Sequence, residues 1–505
     1  MRVKNAFKNI LISIISSAFV FLVGLLIRKI LLDSFDLELL AYDGLLSDIF
    51  SYITLIDFGS DSLFTYRLYE AFANKDETKI SKLINMYRIM FRVIGTAILI
   101  LCVLVFFVLP YIFADKVHFW NYFKIMFFLY SISALSSYYV GYWRYILAAD
   151  QKEYIAISVE SIFNIISLIS KAIILITTKD FILYLVINTC CNVFAKFFIR
   201  HKSKKEYTYQ SNLPVSFSDF KEDGMLKDSI DLIFIKLSDT ITWSSSNLLI
   251  SILIDVSSSG LFYNYSMIAN TFSNLVARFI FPMNATLADL VYKEDKKIAK
   301  DFYNIFNLAC FFIASITLTG FLCCLQPVIS IIFGNQYLLN FSFVLFLSIQ
   351  FYITEKNECD VSFRNCFGEF KTSKFYSLLS VLLNILVSII LSKYIGITGI
   401  VVGSVIGTLI LWHSRLVIVK EKFFNDSMIK TWLNEMVMFI IALLEGIFVY
   451  KITFSLDYSF YTLLIRGGLS VGIPSVINIV LFYKTKSFKG ILNIIKDITS
   501  NIKRG

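Results

Sequence analysis

Long apolar segments recur from one end of the chain to the other, separated by shorter polar connections. A helix that rises about 1.5 Å per residue needs about 20 apolar residues to cross the hydrocarbon core of a bilayer. This pattern predicts an all-α polytopic membrane protein with about fourteen transmembrane helices. The predicted spans are 9–32, 39–66, 86–109, 120–147, 155–177, 180–199, 230–254, 260–290, 302–325, 337–363, 375–394, 397–419, 432–453 and 459–483.

Composition argues against a soluble protein. Of the 505 residues, 57% are hydrophobic and 17% are charged, whereas soluble domains have about 25% charged residues. Long helices buried inside one large soluble protein are the alternative. So many segments of membrane-spanning length argue against it.

The distribution of lysine and arginine predicts the orientation. An even number of spans places both termini on one side, and that side with its alternate loops holds most of the basic residues. The positive-inside rule then places both termini in the cytoplasm. The net charge of +10 is therefore mainly a topology signal, and the basic run Arg200–Glu206 does not indicate nucleic-acid binding. No small-residue cleavage site follows the first apolar segment, which is interpreted as a retained helix.

Short motifs recur about 220 residues apart, in the same order. The segment KDETKISK (Lys75–Lys82) matches KEDKKIAK (Lys293–Lys300), and Lys29–Asp43 resembles Ser251–Asn264. A third match, at an offset of 220 residues, pairs Arg144 with Arg364 and Asn164 with Asn384. Three matches in order indicate an ancestral duplication.

The offset covers six spans, so the two copies have the same orientation and form two pseudosymmetric six-helix lobes related by an axis along the membrane normal. A cleft between the lobes is where transporters of this design bind substrate. The predicted domains are an N-lobe over 1–199, a cytoplasmic linker over 200–228, a C-lobe over 229–419, two further helices over 420–483, and a basic cytoplasmic tail over 484–505.

Polar residues run through the middle of the seventh span. Lys236, Asp239, Thr240, Trp243 and Asn247 fall within about 60° of one another at about 100° per residue, so they form one stripe. An unpaired charge at bilayer depth costs about 3 kcal/mol on insertion scales, so the stripe is expected to face a cavity or a partner. Two simpler roles stay open: Lys236 and Asp239 could neutralise each other, and the serines between them and Asn247 could serve only close helix packing.

The second span carries a matching acidic face. Asp43 and Asp57 share this face with Ser47 and Asp61, whereas Asp48 points elsewhere. The first two spans correspond to the seventh and eighth under the repeat. Polar faces on repeat-related helices predict a water-filled cavity between the lobes.

Further candidates for the substrate cavity lie deep in other spans. Arg278 is in the eighth span, and Glu355 and Lys356 are in the tenth. Asp57, Asp239 and Glu355 are candidates for protonation or cation binding. Lysine and arginine at such depth suit an anionic head group.

The sequence predicts no catalytic site, metal site or cofactor. Its eight cysteines lie mostly in apolar spans and its three histidines are far apart, which suits neither a disulfide framework nor a zinc site. No G-x-x-x-x-G-K-[ST] motif occurs, so no P-loop for ATP is predicted. Transport would then depend on an ion gradient, the membrane potential or removal of product.

Several segments resemble one transporter family. They are LLAYDGLLSDIFSYITLIDFGSDSLFTYRLYEAFANKDETKISKLINMYR, YILAADQKEYI, SGLFYNYSMI and GITGIVVGSVIGT. The sequence resembles the Wzx-type polysaccharide repeat-unit flippases, which share a superfamily with multidrug-and-toxin extruders and lipid II flippases. The similarity runs in pieces over nearly all of the first twelve spans.

The resemblance implies two lobes in a bacterial cytoplasmic membrane that open alternately to each side. It implies a substrate made on the cytoplasmic face, an undecaprenyl-pyrophosphate-linked oligosaccharide for capsule or other surface polysaccharide. The glycan would cross through the cavity while the prenyl tail stays in lipid. Glycosyltransferases and a polysaccharide polymerase are the partners expected of such a system.

The sequence departs from the relatives at two places. Lipid II flippases have an arginine-rich cavity that includes the second helix, which is acidic here. Multidrug extruders often carry an acid inside the first helix, where this chain has none deeper than Asp33. Both departures favour the Wzx branch, and Lys236 and Arg278 are the hypothesised pyrophosphate contacts. A lipid II or teichoic-acid precursor flippase, a multidrug or cation antiporter and a membrane polysaccharide polymerase remain the alternatives.

Overall fold

A computed structural model describes residues 23–57, 68, 71–72, 76–113, 116–150, 152–207, 245–280, 296–367 and 371–504. Within these ranges the regular structure is helical, with no strand, which confirms the all-α prediction. A described helix overlaps each of the fourteen predicted spans, and one more follows them.

The helices are numbered in chain order so that α1 to α14 match the predicted spans. They are α1 over 23–34, α2 (Leu37–Ile53), α3 (Glu77–Phe113), α4 (Trp120–Tyr139 and Trp143–Ala149), α5 (Glu153–Thr177), α6 (Phe181–Glu206), α7 (Ser246–Leu253), α8 (Val256–Ile280), α9 (Lys296–Ile332), α10 (Phe341–Phe367), α11 (Lys371–Ile395), α12 (Ile397–Leu416, continued as a π-helix over Val417–Phe423), α13 (Met428–Thr453), α14 (Phe460–Phe482) and α15 (Lys486–Arg504).

Many of these helices satisfy the length and polarity requirements of a membrane span. Among the described residues, eight helices are long and apolar enough to cross a bilayer, and a ninth is added if the two segments of α4, bent by 45°, count as one span. The chain is therefore a multi-pass membrane protein.

The chain divides into two compact units. The N unit is Leu22–Gly260, and the C unit contains the residues from Leu261 onward. The described part of α7 belongs to the N unit. The predicted linker over 200–228 lies mostly outside the described residues, so the domain boundaries stay a prediction.

In the N unit, α6 begins at a strong cap. Asp180 accepts hydrogen bonds from the backbone N–H groups of Ile182 and Leu183, at 2.8 and 3.0 Å, which satisfies two donors that the first turn leaves unpaired. Further along, Arg144 of α4 and Glu160 of α5 form an ion pair at 3.1 Å. The cap fixes where α6 begins, and the ion pair joins α4 to α5.

In the C unit, glycines bring α11 and α12 into backbone contact. A Cβ atom on Gly403 would lie 2.7 Å from the carbonyl oxygen of Asn384, and one on Gly399 would lie 2.6 Å from that of Leu391. Gly407, one turn on, faces the Asn384 side chain. Small residues four positions apart are how membrane helices approach closely, so GITGIVVGSVIGT is first of all a packing motif.

Helix α9 lies at the centre of the C unit. Its buried residues Phe311, Leu318 and Leu322 join a core that also includes Tyr352 of α10 and Ala442 of α13. Helices α3 and α9 have the same length, 37 residues, and begin about 220 positions apart. This correspondence between the units is what the predicted duplication requires.

The last helix, α15, packs against α9. Phe488 and Ile491 contact the C-unit core, and Gly490 faces Ile305 so closely that a Cβ atom there would lie 2.7 Å from Ile305 Cγ1. Lys486, Lys489 and other polar residues occupy the opposite face. The tail predicted only as basic therefore forms an amphipathic helix.

Candidate functional site

The polar stripe predicted on the seventh span is only partly visible. Lys236, Asp239, Thr240 and Trp243 lie outside the described residues. Arg278 is on α8, but its side chain is also outside them. Their placement in a cavity stays a prediction.

The fifth member of that stripe, Asn247, joins α7 to α2 within the N unit. Asp48 of α2 is buried; it accepts a hydrogen bond from the Leu248 backbone N–H at 3.0 Å and one from Asn247 Nδ2 at 3.4 Å. Helical spacing alone set Asp48 apart from the acidic face of the second span. The structure gives it this role because α7 begins beside it.

A polar cluster lies in the N unit, with its residues about 5 to 15 Å from the nearest ends of their helices at about 1.5 Å per residue. The Tyr130 hydroxyl donates to Asp43 Oδ1 at 2.6 Å, and Lys171 Nζ donates to Asn188 Oδ1 at 3.2 Å. The Lys171 ammonium lies 5.1 Å from the centre of the Tyr184 ring, and Asp43 acts electrostatically on both residues. Sequence reasoning selected Asp43 but not the lysine and tyrosines around it.

Closer to the other end of the N unit, a lysine is held by serines. Lys196 of α6 donates to the carbonyl oxygen of Ser133 and to the hydroxyls of Ser136 and Ser137, at 2.7–2.9 Å. Nearby in sequence, the Tyr138 hydroxyl donates to Asp57 at 3.1 Å. The coupling role of Asp57 stays a prediction.

The C unit contains a fully buried polar network. Lys356 pairs with Glu435 of α13 at 2.6 Å and also donates to Asn307 of α9. Asn307 donates in turn to the Tyr303 hydroxyl at 3.2 Å, and Tyr303 donates to Asp360 at 2.6 Å. Each charge thus has partners within the unit. The network joins α9, α10 and α13, and the cavity role proposed for Lys356 stays a prediction.

Glu355 points to a different helix from its neighbour Lys356. It is 2% exposed and accepts a hydrogen bond from Ser273 of α8. Sequence reasoning missed two other buried acids, Glu435 and Glu445 of α13. Glu445 accepts from Ser315 of α9 and from Asn478 of α14. The available signal was two glutamates inside one apolar span.

An apolar groove of about 260 Å³ runs between α8, α9 and α14 in the C unit. Phe272 and Val471 at its edge are 37% and 51% exposed, so the groove opens on the surface of the protein. Gly320 and Gly467 line it, and a Cβ atom on either glycine would have no atom within 4 Å. Gly467 lies seven residues into α14, about 10 Å from its start. An apolar space at this depth is suited to a hydrocarbon chain.

Metal ligands do not cluster in the part of the chain that the structure describes. The described side chains contain no group of three or more His, Cys, Asp or Glu residues placed to hold a metal ion.

Comparison with known proteins identifies the fold. No family model matches the sequence, and a search of the curated proteins finds no match. Among solved structures, however, the chain shares the fold of the transporters of the MOP superfamily.

Three solved structures illustrate the likeness. The lipid II flippase MurJ, in an inward closed conformation, has a TM-score of 0.66 and 16% identity, over 93% of this chain and 98% of that one. An inward-facing multidrug resistance transporter of the MATE family has a TM-score of 0.64 and 12% identity, over 80% and 94% of the two chains. A MOP superfamily transporter from Pyrococcus furiosus has a TM-score of 0.59 and 12% identity, over 83% and 96%. At identities this low, the likeness establishes the fold alone.

Proposed function

We propose that this protein is a flippase that moves undecaprenyl-pyrophosphate-linked oligosaccharide repeat units from the inner to the outer leaflet by alternating access. The sequence resemblance to Wzx-type flippases and the fold shared with a lipid II flippase over nearly the whole of both chains support this function. In this proposal the protein transports its cargo unchanged and needs neither a cofactor nor ATP.

The observation that carries the proposal is the apolar groove between α8, α9 and α14. A lipid-linked cargo is amphiphilic, and its prenyl chain needs an apolar path along the protein while its glycan needs a polar one. The groove supplies such a path, and Phe272, Phe321 and Leu325 are among the residues that line it. A transporter of soluble substrates has no need of such a groove at bilayer depth.

The pyrophosphate needs cationic partners. Lys236 and Arg278 are the proposed contacts, because they are the basic residues deepest in the repeat-related seventh and eighth spans. Replacing both with alanine is expected to abolish polymer when the variant is expressed in a flippase-null strain. Full polymer would rule out these two residues as the pyrophosphate contacts, but it would not contradict the lipid-chain role of the groove.

The groove itself is tested by filling it. Gly320→Leu combined with Gly467→Leu adds two side chains where a Cβ atom meets nothing, so folding is expected to be unaffected. In a flippase-null strain the double variant should reduce surface polymer about tenfold or more, as about two lost apolar contacts of a lipid chain imply.

The matched control is Gly472→Leu, which is also on α14 and also has no atom within 4 Å of its Cβ, but lies outside the groove. It should keep wild-type polymer. Wild-type polymer in the double variant at equal membrane levels, or an equal loss in the control, would contradict a lipid-chain role for the groove.

The alternatives predict different cargo. A lipid II or teichoic-acid precursor flippase is favoured by the likeness to MurJ. Such a protein would restore growth or wall polymer in a strain that lacks the flippase for that precursor. A multidrug antiporter, favoured by the MATE-family likeness, would move small cationic dyes. A polysaccharide polymerase would change the length of the glycan.

A further inference from the structure

A second cavity lies in the C unit where α9 and α13 begin and α12 and α14 end. Its volume is about 430 Å³, within the range of about 300–1,000 Å³ usual for ligand pockets. Lys300, Lys420 and Lys430 come from three different elements and line this cavity. We infer that it is a binding site for a phosphate-bearing anion.

The charges in this basic cavity do not cancel. Lys300 pairs with Asp426, and Lys420 reaches the other oxygen of the same carboxylate at 3.8 Å. The second acid in the lining, Glu435, pairs at 2.6 Å with Lys356, which is not part of the lining. The buried Asp360 also acts electrostatically on Lys420 and Lys356. Four lysines therefore face three carboxylates, and Lys430 leaves one excess positive charge facing the cavity.

Two of the lysines are held in place by aromatic rings. The Lys420 ammonium lies 4.0 Å from the centre of the Tyr303 ring, and the Lys420 side chain is only 11% exposed. The Lys300 ammonium lies 5.9 Å from the Phe424 ring. Ammonium groups positioned before a ligand arrives lose less conformational freedom on binding it.

A tight turn positions the acid between them. Asn425 has a φ of 57°, a left-handed conformation that asparagine adopts more readily than most residues. The Asp426 N–H then donates to the Lys420 carbonyl oxygen at 2.8 Å. The turn also brings Ser427, where α13 begins, into the lining.

Hydroxyl and amide groups complete the lining. Asn304, Ser427 and Ser487 supply N–H or O–H donors. The Thr431 and Thr485 hydroxyls also line the cavity, but they donate to the backbone carbonyl oxygens of Ser427 and Phe482. Phosphate oxygens accept several such bonds at once, in addition to charge-assisted bonds from lysine. The donor set therefore suits a phosphate group better than a chloride ion or an apolar ligand.

The phosphate could come from a lipid head group or from a soluble molecule, and the position of the cavity favours the lipid. The cavity lies at the ends of apolar spans, where head groups lie. Beside it, α15 is amphipathic, with Lys486 and Lys489 exposed and Leu492 42% exposed on its surface. Helices of this kind lie in the membrane interface and attract anionic lipids.

Binding by the full chain tests the site. Protein in nanodiscs of phosphatidylcholine is titrated with inorganic phosphate and pyrophosphate, and nanodiscs containing phosphatidylglycerol are analysed by native mass spectrometry for retained lipid. Lys430→Glu and Ser487→Glu each place a negative charge in the cavity without removing the lysines held by the rings. Each variant should weaken phosphate binding about tenfold or more, because the new carboxylate repels the negatively charged phosphate.

Lys451→Glu is the matched control, because Lys451 is an exposed lysine on the same helix as Lys430, in its last turn and outside the cavity lining. It should bind nearly as wild type. Loss confined to the phosphatidylglycerol arm would identify a lipid phosphate, and loss in the soluble arm would identify a free one. Wild-type protein that binds neither probe, cavity variants that bind normally, or an equal loss in the control would overturn the site. Transport is not measured, so the result is independent of the proposed flippase function.

Discussion

Single residues in the C unit show what a charge at bilayer depth requires. The sequence predicted that a charge such as Lys356 would face a cavity or a partner, and the structure places Glu435 at 2.6 Å from it. Helical spacing could not find this partner, because it stands about 80 positions later on another helix. Spacing relates only residues on one helix, so it could identify polar residues but not their contacts. Asp48 and Lys196 were missed for the same reason.

The buried ion pair makes a direct prediction about stability. Glu435→Gln leaves the buried Lys356 ammonium without its ion-pair partner, which should lower the free energy of unfolding by about 3–5 kcal/mol. The melting temperature of purified protein should fall accordingly. Lys356→Met combined with Glu435→Gln removes the charge and should recover much of the loss.

The control for this pair is Glu421→Gln, a change of the same kind at an exposed glutamate near the end of α12. It should melt as wild type. A Glu435→Gln protein as stable as wild type, or a double variant no better than the single one, would contradict the ion pair.

At the scale of helices, the apolar pattern predicted where each one lies but not where it ends. The third span was predicted at 86–109, whereas α3 extends over Glu77–Phe113. Hydropathy detects only the part of a helix that lies in lipid. The polar first turns continue because Asp76 caps them, accepting from the Lys79 N–H at 3.0 Å and from the Thr78 hydroxyl at 2.7 Å.

The contact between α11 and α12 gives a prediction at this scale. Gly403→Val would place a side chain against the Asn384 carbonyl oxygen and the Ser388 hydroxyl. Because a backbone atom cannot move aside as a side-chain tip can, the cost should be about 3 kcal/mol or more. Much less protein should be recovered as a single species by size-exclusion chromatography, with a lower melting temperature.

Gly472→Val in α14 is the comparison, because that position has open space around it. Normal recovery and melting are expected there. If Gly403→Val behaved like this control, the two helices would not be in backbone contact.

For the whole molecule, a sequence of apolar spans with an internal repeat was enough to predict an all-α membrane protein, and the fold shared with MOP-superfamily transporters agrees with that prediction. The cargo could not be predicted to the same depth. Cargo is selected by a few side chains, and those assigned from the sequence on the seventh and eighth spans, apart from Asn247, lie outside what the structure describes. The groove and the basic cavity, in contrast, each form from elements distant in sequence, so only the folded chain brings their residues together.

The most direct test of flippase function is transport by the purified protein in proteoliposomes. A fluorescent undecaprenyl-pyrophosphate oligosaccharide is placed in one leaflet, and its appearance in the other is followed by an enzyme that modifies only the outward-facing glycan. We expect transfer that depends on the protein and slows in the Gly320→Leu, Gly467→Leu double variant. Lipid-linked glycan that stays in its leaflet while a small cationic dye crosses would contradict the proposed function.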